Sequence, residues 1–264
     1  MSDPTVQELF DLTGRVGLIT GASGWLGRAM ATALAEAGAN VVVASRDAET
    51  GKQAAAKLPT QKGNQHHYVV LDQLDDDSIE YGFDAAVAAA GKVDILINNG
   101  HAADGHDLTD VTAEQFNRVL GNATGWFLLA RHLRDHVVQR STAGTIVNIG
   151  SMYGQVASYP DAYEEICPAS PVSYHMLKGG VIHMTRHLAV YWARDNVRVN
   201  CLSPGPFPSS AAPSGLAERL EAKSPMGRMG QPHELKGALL LLASDAGSYI
   251  TGQNLTIDGG WTAW

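Results

Sequence analysis

A chain of 264 residues, 45% of them hydrophobic, has enough apolar material for a large buried core, as one α/β domain or two small ones. Its formal charge of −8, with lysines and arginines scattered, excludes a nucleic-acid or anionic-membrane partner, since either needs a concentrated positive field. The two cysteines, Cys167 and Cys201, exclude a disulfide framework and point to a reducing cytoplasm.

The opening MSDPTVQELFDLTGR has no basic segment followed by an apolar core, and no apolar run approaches the roughly 18 residues of a membrane helix, so a soluble protein is expected. No linker, charge block or repeat divides the chain, which predicts a single domain over 1–264. Segments rich in β-branched residues alternate with Ala/Leu-rich segments of helical length, the pattern of an α/β, doubly wound parallel sheet. Strands are predicted at 15–20, 40–45, 67–71, 93–98, 144–150, 197–202 and 254–257, and the clearest helices at 25–38, 75–90, 112–138, 172–194 and 231–243. Ligands of such sheets bind beyond the carboxyl ends of the strands, so the residues just after each strand carry the most information.

After the first strand comes Gly21-Ala22-Ser23-Gly24-Trp25-Leu26-Gly27, then RAMATALAEAG, a helix-like run closed by Gly38 as a C-cap. Strand, glycine turn and helix together aim free backbone N–H groups and a positive helix end at a pyrophosphate. Gly21, Ser23, Gly24, Trp25, Leu26 and Gly27 are therefore candidate cofactor contacts. Trp25 is the anomaly, because a bulky side chain sits where backbone must approach an anion. Either Gly24 supplies the turn and Trp25 points away, or Trp25 reshapes cofactor binding.

The second strand ends in Ser45 and Arg46. A carboxylate there would hydrogen-bond a free ribose hydroxyl and repel a 2′-phosphate; an arginine instead favours NADP(H), with NAD(H) as the alternative. Farther on, LINNG closes the fourth strand, GNATGWF places Asn122 in the long helix, and TIVNIGSMYG ends its strand in Ser151. In SYHMLKGG, Tyr174 and Lys178 are four apart, hence on one helix face. A free tyrosine ionises near about pH 10, and a neighbouring ammonium is expected to lower that.

From FDLTGRVGLITGAS to ITGQNLTIDGGW the chain resembles the short-chain dehydrogenase/reductase family, in particular its gluconate-5-dehydrogenase-like, sugar-modification branch. The resemblance implies a Rossmann-type fold and a nicotinamide cofactor. It makes Ser151, Tyr174 and Lys178 the active triad, with Asn122 anchoring a proton-relay water. It also implies that Asp72 contacts the adenine, that Asn98 and Asn99 form the N-N-A-G-like turn, and that Pro204, Gly205, Phe207 and Ser209 grip the nicotinamide amide. A homotetramer built on the helices of Asn122 and Tyr174 is implied as well.

Three departures stand out against that pattern. Trp25 replaces a small residue. The turn reads NNGH, putting His101 where the family has glycine, either as a loop histidine partly in solvent or as a substrate contact. Twenty-two residues separate Ser151 from Tyr174, longer than in common members of the family. This insertion, around 152–173, brings Tyr153, Tyr159 and Tyr163 with Asp161, Glu164 and Glu165, which suit a polyhydroxylated ring or else form an acidic loop packed down by its tyrosines. The lid around 206–224 is short and offers no pocket for a phosphopantetheine tail.

The expected activity is hydride transfer between nicotinamide and a carbonyl or secondary alcohol, with a small-molecule sugar, sugar acid or polyol favoured. A 3-oxoacyl thioester or cyclic ketone reductase is the alternative, and a cofactor-binding sensor without turnover is the rival from another class. His66 and His67 lack partners at metal spacing, and His183 and His187, four apart on one helix, are read as surface or interface histidines, so no metal is expected.

Overall fold

The computed structural model describes residues 3–106, 108–209 and 212–263. Seven parallel strands form one sheet in the order β3-β2-β1-β4-β5-β6-β7. They are β1 Val16–Thr20, β2 Asn40–Ser45, β3 His66–Val70, β4 Ile95–Asn98, β5 Gly144–Ile149, β6 Val197–Pro204 and β7 Asn254–Ile257. All seven predicted strands form, with β6 running two residues farther, to Pro204, and β4 starting two residues later, at Ile95. The helices are α1 Val6–Leu9, α2 Trp25–Glu36, α3 Ala48–Ala56, α4 Asp76–Ala90, α5 Ala113–Gln139, α6 Pro160–Tyr163, α7 Val172–Trp192, α8 Leu216–Glu221 and α9 Lys236–Ala243.

Both faces of the sheet are covered, which is why its strands read as apolar runs rather than as alternation. Val16, Leu18, Val42 and Ala44 pack with Ile79, Phe83, Leu129 and Leu133 of α4 and α5 and with Leu188 of α7. The alternate residues Ile19, Val41 and Val43 pack on the other face with Met30 and Leu34 of α2 and Leu239 and Leu242 of α9. Each such fully buried aliphatic side chain contributes about 1.5–3 kcal/mol, so the sheet is held from both sides.

α2 ends at Glu36, and Gly38 follows with φ +101°, as the predicted cap requires. α3 fills a stretch the sequence reading leaves unassigned; Asp47 caps it by accepting a bond from the Thr50 N–H at 2.8 Å. The predicted helix 231–243 divides into a 3-10 turn, Pro232–Leu235, followed by α9. Strand order reverses between β1 and β4, which opens a crevice at the carboxyl ends of those two strands. Cys167 and Cys201 are both free thiols. No helix among the described residues is long and apolar enough to cross a membrane.

Candidate active site

The turn after β1 is tied to the turn after β4. The Thr20 hydroxyl accepts from the N–H groups of Asn99 (3.0 Å) and Gly100 (2.8 Å), while the Asn99 side-chain amide donates to the carbonyls of Thr20 (3.0 Å) and Gly21 (3.1 Å). Gly21 has φ +66°, and a Cβ at Gly27 would stand 2.1 Å from the Gly21 carbonyl oxygen. Neither position admits a side chain. Gly24 caps α2 without a side-chain bond, leaving the first N–H groups of a twelve-residue helix free for an anion. Trp25 is 40% exposed and lines none of the cavities described below, so the indole leaves the groove open.

A cleft of about 510 Å³ runs along these turns. One end is walled by Ser45, Arg46, Asp47 and Thr50, the middle by Leu71, Asp72 and Gln73, and the other end by Thr20, Gly21, Ser23, Gly100, His101 and Ala102. Arg46 is exposed and makes no hydrogen bond or ion pair among the described residues. Asp47, which the sequence reading passed over, faces the same end, but its carboxylate is held below the usual range by the Thr50 hydroxyl and N–H. Asp72 accepts from the Leu74 N–H at 3.0 Å.

Beyond the cleft, an inner pocket of about 290 Å³ brings together Leu26, Asn99, Ser151, Tyr174, Lys178, Pro204, Gly205 and Phe207, with His101 at its edge. β5 delivers Ser151 and β6 delivers Pro204, while one face of α7 carries Tyr174 and Lys178. Ser209 lies in the coil after β6 and lines none of the cavities. Lys178 is 4% exposed; its Nζ donates to the Ile149 carbonyl at 2.6 Å and lies 4.7 Å from the Trp126 ring and 5.5 Å from the Tyr174 ring. Burial brings its ionisation down to about 8.

The Tyr174 phenol moves up, driven first by burial and opposed by its hydrogen bond with Ser151. The expected depression by the ammonium is therefore not what this arrangement produces, because burial of the phenol dominates. His101 meets Tyr174 edge to face, with ring centroids 5.3 Å apart. Burial, helped by Lys178, lowers its ionisation to about 4, so the imidazole is neutral at pH 7.

Asn122 is fully buried in α5, and its amide is saturated. Nδ2 donates to the carbonyls of Ala102 (3.1 Å) and Val119 (2.7 Å), while Oδ1 accepts from the Ala102 N–H (2.8 Å) and from a very short contact with Gln73 Nε2. Gln73 also donates to the Gly100 carbonyl at 2.7 Å. The side chain of Asn122 thus braces the segment carrying His101 and has no valence left for a water. Nothing in the sequence marked Gln73, whose part arises only from this tertiary contact.

An outer chamber of about 360 Å³ is lined by His101, Ser151, Met152, Tyr153, Tyr163, Ser170, Pro171, Tyr174, Pro206 and Leu220, among others. The insertion forms its roof, but the acids do not face inward. Asp161, Glu164 and Glu165 are exposed; Asp161 pairs with Lys223 at 2.5 Å, and Arg219 donates to the carbonyls of Asp161 (2.9 Å) and Glu164 (2.6 Å). Tyr159 packs on Trp261 with Lys223 over its ring. Tyr153 and Tyr163 do line the chamber, their hydroxyls bonded to each other at 2.6 Å. Insertion and lid are thereby clamped into one roof.

These features fit a nicotinamide dinucleotide: two positions that only glycine can occupy, free helix N–H groups, and a continuous wall from Arg46 to Lys178. Sheet order and cleft define the class of Rossmann-type, dinucleotide-dependent oxidoreductases. A family model described as enoyl-(acyl carrier protein) reductase matches residues 21–262. The chain is 34% identical to the cis-4-hydroxycyclohexanecarboxylate dehydrogenase of Sinomonas cyclohexanicum, over 94% of this chain and 97% of that one. It is also 34% identical to the NADP-dependent mannitol dehydrogenase of Alternaria alternata, over 97% and 95%. The crystal structure of a gluconate 5-dehydrogenase from Burkholderia cenocepacia, in complex with NADP and tartrate, superposes with a TM-score of 0.87 at 30% identity, covering 98% of this chain and 100% of the other. The chain belongs to the short-chain dehydrogenase/reductase family and is an NAD(P)-dependent dehydrogenase acting on CH–OH groups.

Proposed function

We propose that this chain interconverts a secondary alcohol and the matching ketone of a sugar, sugar acid or polyol, with NADP(H) preferred over NAD(H). The observation that carries the reading is the cluster of Ser151, Tyr174 and Lys178 at the junction of a dinucleotide cleft and a separate chamber. Bound nicotinamide supplies or accepts the hydride. In reduction, Tyr174 Oη donates the proton to the substrate oxygen, which Ser151 Oγ holds by a hydrogen bond. The Lys178 ammonium, with two N–H bonds beyond the one to Ile149, binds ribose hydroxyls and stabilises the phenolate. Asn122 acts as a positioning residue through Ala102 and Gln73, so a relay water on it would use its main chain.

The preference for NADP(H) is supported by the Arg46 guanidinium, unpaired among the described residues, at the adenosine end of the cleft. A polyhydroxylated substrate is supported by the tyrosine hydroxyls and Ser170 in the chamber and by the mannitol and gluconate relatives. The apolar share of the same lining, Met152, Pro171, Pro206 and Leu220, favours a second reading, a cyclic alcohol. Exposed Met176, Val190 and Tyr191 on α7 support assembly through that helix, as a homotetramer.

A panel of polyols, sugar acids, cyclic alcohols and 3-oxoacyl thioesters, followed by nicotinamide absorbance with both cofactors, tests the reading. Turnover of polyols or sugar acids with higher kcat/KM for NADP(H) is expected. Turnover confined to thioesters, or tight cofactor binding without any turnover, overturns it.

A further inference from the structure

His101 stands where the three cavities meet, lining the dinucleotide cleft, the inner pocket and the outer chamber. The sequence allows either a loop histidine partly in solvent or a substrate contact here. The side chain is half-buried, with Nε2 enclosed and without a hydrogen-bond partner among the described residues, an arrangement that costs stability until a turn of the ring brings that nitrogen to a partner. The ring is braced from behind: Ala102 is bonded both ways to the Asn122 amide, and the Gly100 carbonyl accepts from Gln73 (2.7 Å) and from Trp126 Nε1 (3.0 Å).

A neutral imidazole carries one N–H and one lone pair. A hydroxyl, which both donates and accepts, complements either ring nitrogen in either tautomer. Tyr174 and Ser151 take the reacting oxygen, and the imidazole meets Tyr174 at 5.3 Å between centroids. The two rings are in direct contact and line the same chamber, so an oxygen on the carbon beside the reacting one comes within reach of the imidazole.

We propose that His101 is a specificity-determining residue that hydrogen-bonds a second hydroxyl of the substrate, vicinal to the reacting one. The inference rests on the dehydrogenase reading above and narrows its substrate class to vicinal diols and α-hydroxy ketones.

The test compares cyclohexanol with a vicinal cyclohexanediol on the wild-type protein, His101→Ala and His101→Gln, with NADP(H) affinity of each measured by fluorescence. The wild type is expected to prefer the diol in kcat/KM. His101→Ala should lower that preference about tenfold or more, mainly through KM of the diol, and His101→Gln, which keeps a donor and an acceptor, should restore part of it. An unchanged preference in His101→Ala overturns the proposal, whether both alcohols fall alike or only cofactor affinity drops. So does a wild type that oxidises cyclohexanol without preferring the diol, an outcome that leaves the dehydrogenase reading standing. Turnover of neither alcohol with cofactor bound overturns this inference, and the dehydrogenase reading then stands or falls on the wider panel.

Discussion

Lys178 Nζ sits 5.5 Å from the centroid of the Tyr174 ring and is bonded to the Ile149 carbonyl, so the ammonium is anchored beside the phenol. Burial governs both groups, raising the phenol and bringing the ammonium down to about 8. The pair is therefore protonated at neutral pH, ready to give a proton rather than take one.

A direction-dependent pH profile follows. Reduction needs the phenol and oxidation needs the phenolate, and a raised phenol favours the first at neutrality. Initial rates in both directions should show kcat/KM for oxidation climbing from about pH 7 through about pH 10, while kcat/KM for reduction stays level over that range and falls only above the ordinary phenol value of about 10. Parallel profiles would contradict the assignment of Tyr174 as the proton donor.

Lys178 also makes a stability prediction. Its folded-state value of about 8 lies below the ordinary 10.5, so between these values the unfolded chain binds more protons and stability rises with pH. Relative to Lys178→Met, the wild type should gain up to about 3 kcal/mol as pH rises from about 7 to about 10.5, and lose it again on the way down. Urea midpoints of the two proteins across that range measure it, and a constant difference would show that burial does not depress Lys178.

Arg46 is predicted to set the cofactor preference. Arg46→Asp should lower the kcat/KM ratio of NADPH to NADH by about tenfold or more, because a carboxylate at the end of β2 binds a free ribose hydroxyl and repels a 2′-phosphate. Steady-state kinetics with both cofactors checks it; an unchanged ratio would shift attention to Ser45 and Thr50 at the same end of the cleft.

The strands and the glycine turn were legible in the sequence because their cause is local. A β-branched run has few other homes, and Gly21 with φ +66° has few substitutes. α3 escaped notice because AETGKQAAA is too polar to announce a buried face; the Asp47 cap was its only signal. Of the two readings of the insertion, acids turned to a substrate or an acidic loop packed down by its tyrosines, the acids follow the second, and the sequence could not choose between them. The partners of Asp161 and Glu164 are Arg219 and Lys223, more than fifty residues away, and no spacing rule reports a contact that only the fold creates. His101 was visible as a departure from the family turn, but its burial beside Lys178 was not.

The most direct test is Tyr174→Phe, which removes one oxygen atom and leaves the ring on α7. Single-turnover reduction of a ketone that the wild type accepts should slow by about a thousandfold, within the range general acids supply, while NADP(H) affinity stays within a few-fold. Retention of most of the rate would mean that the proton comes from elsewhere and that the cluster at the mouth of the cleft has been misassigned.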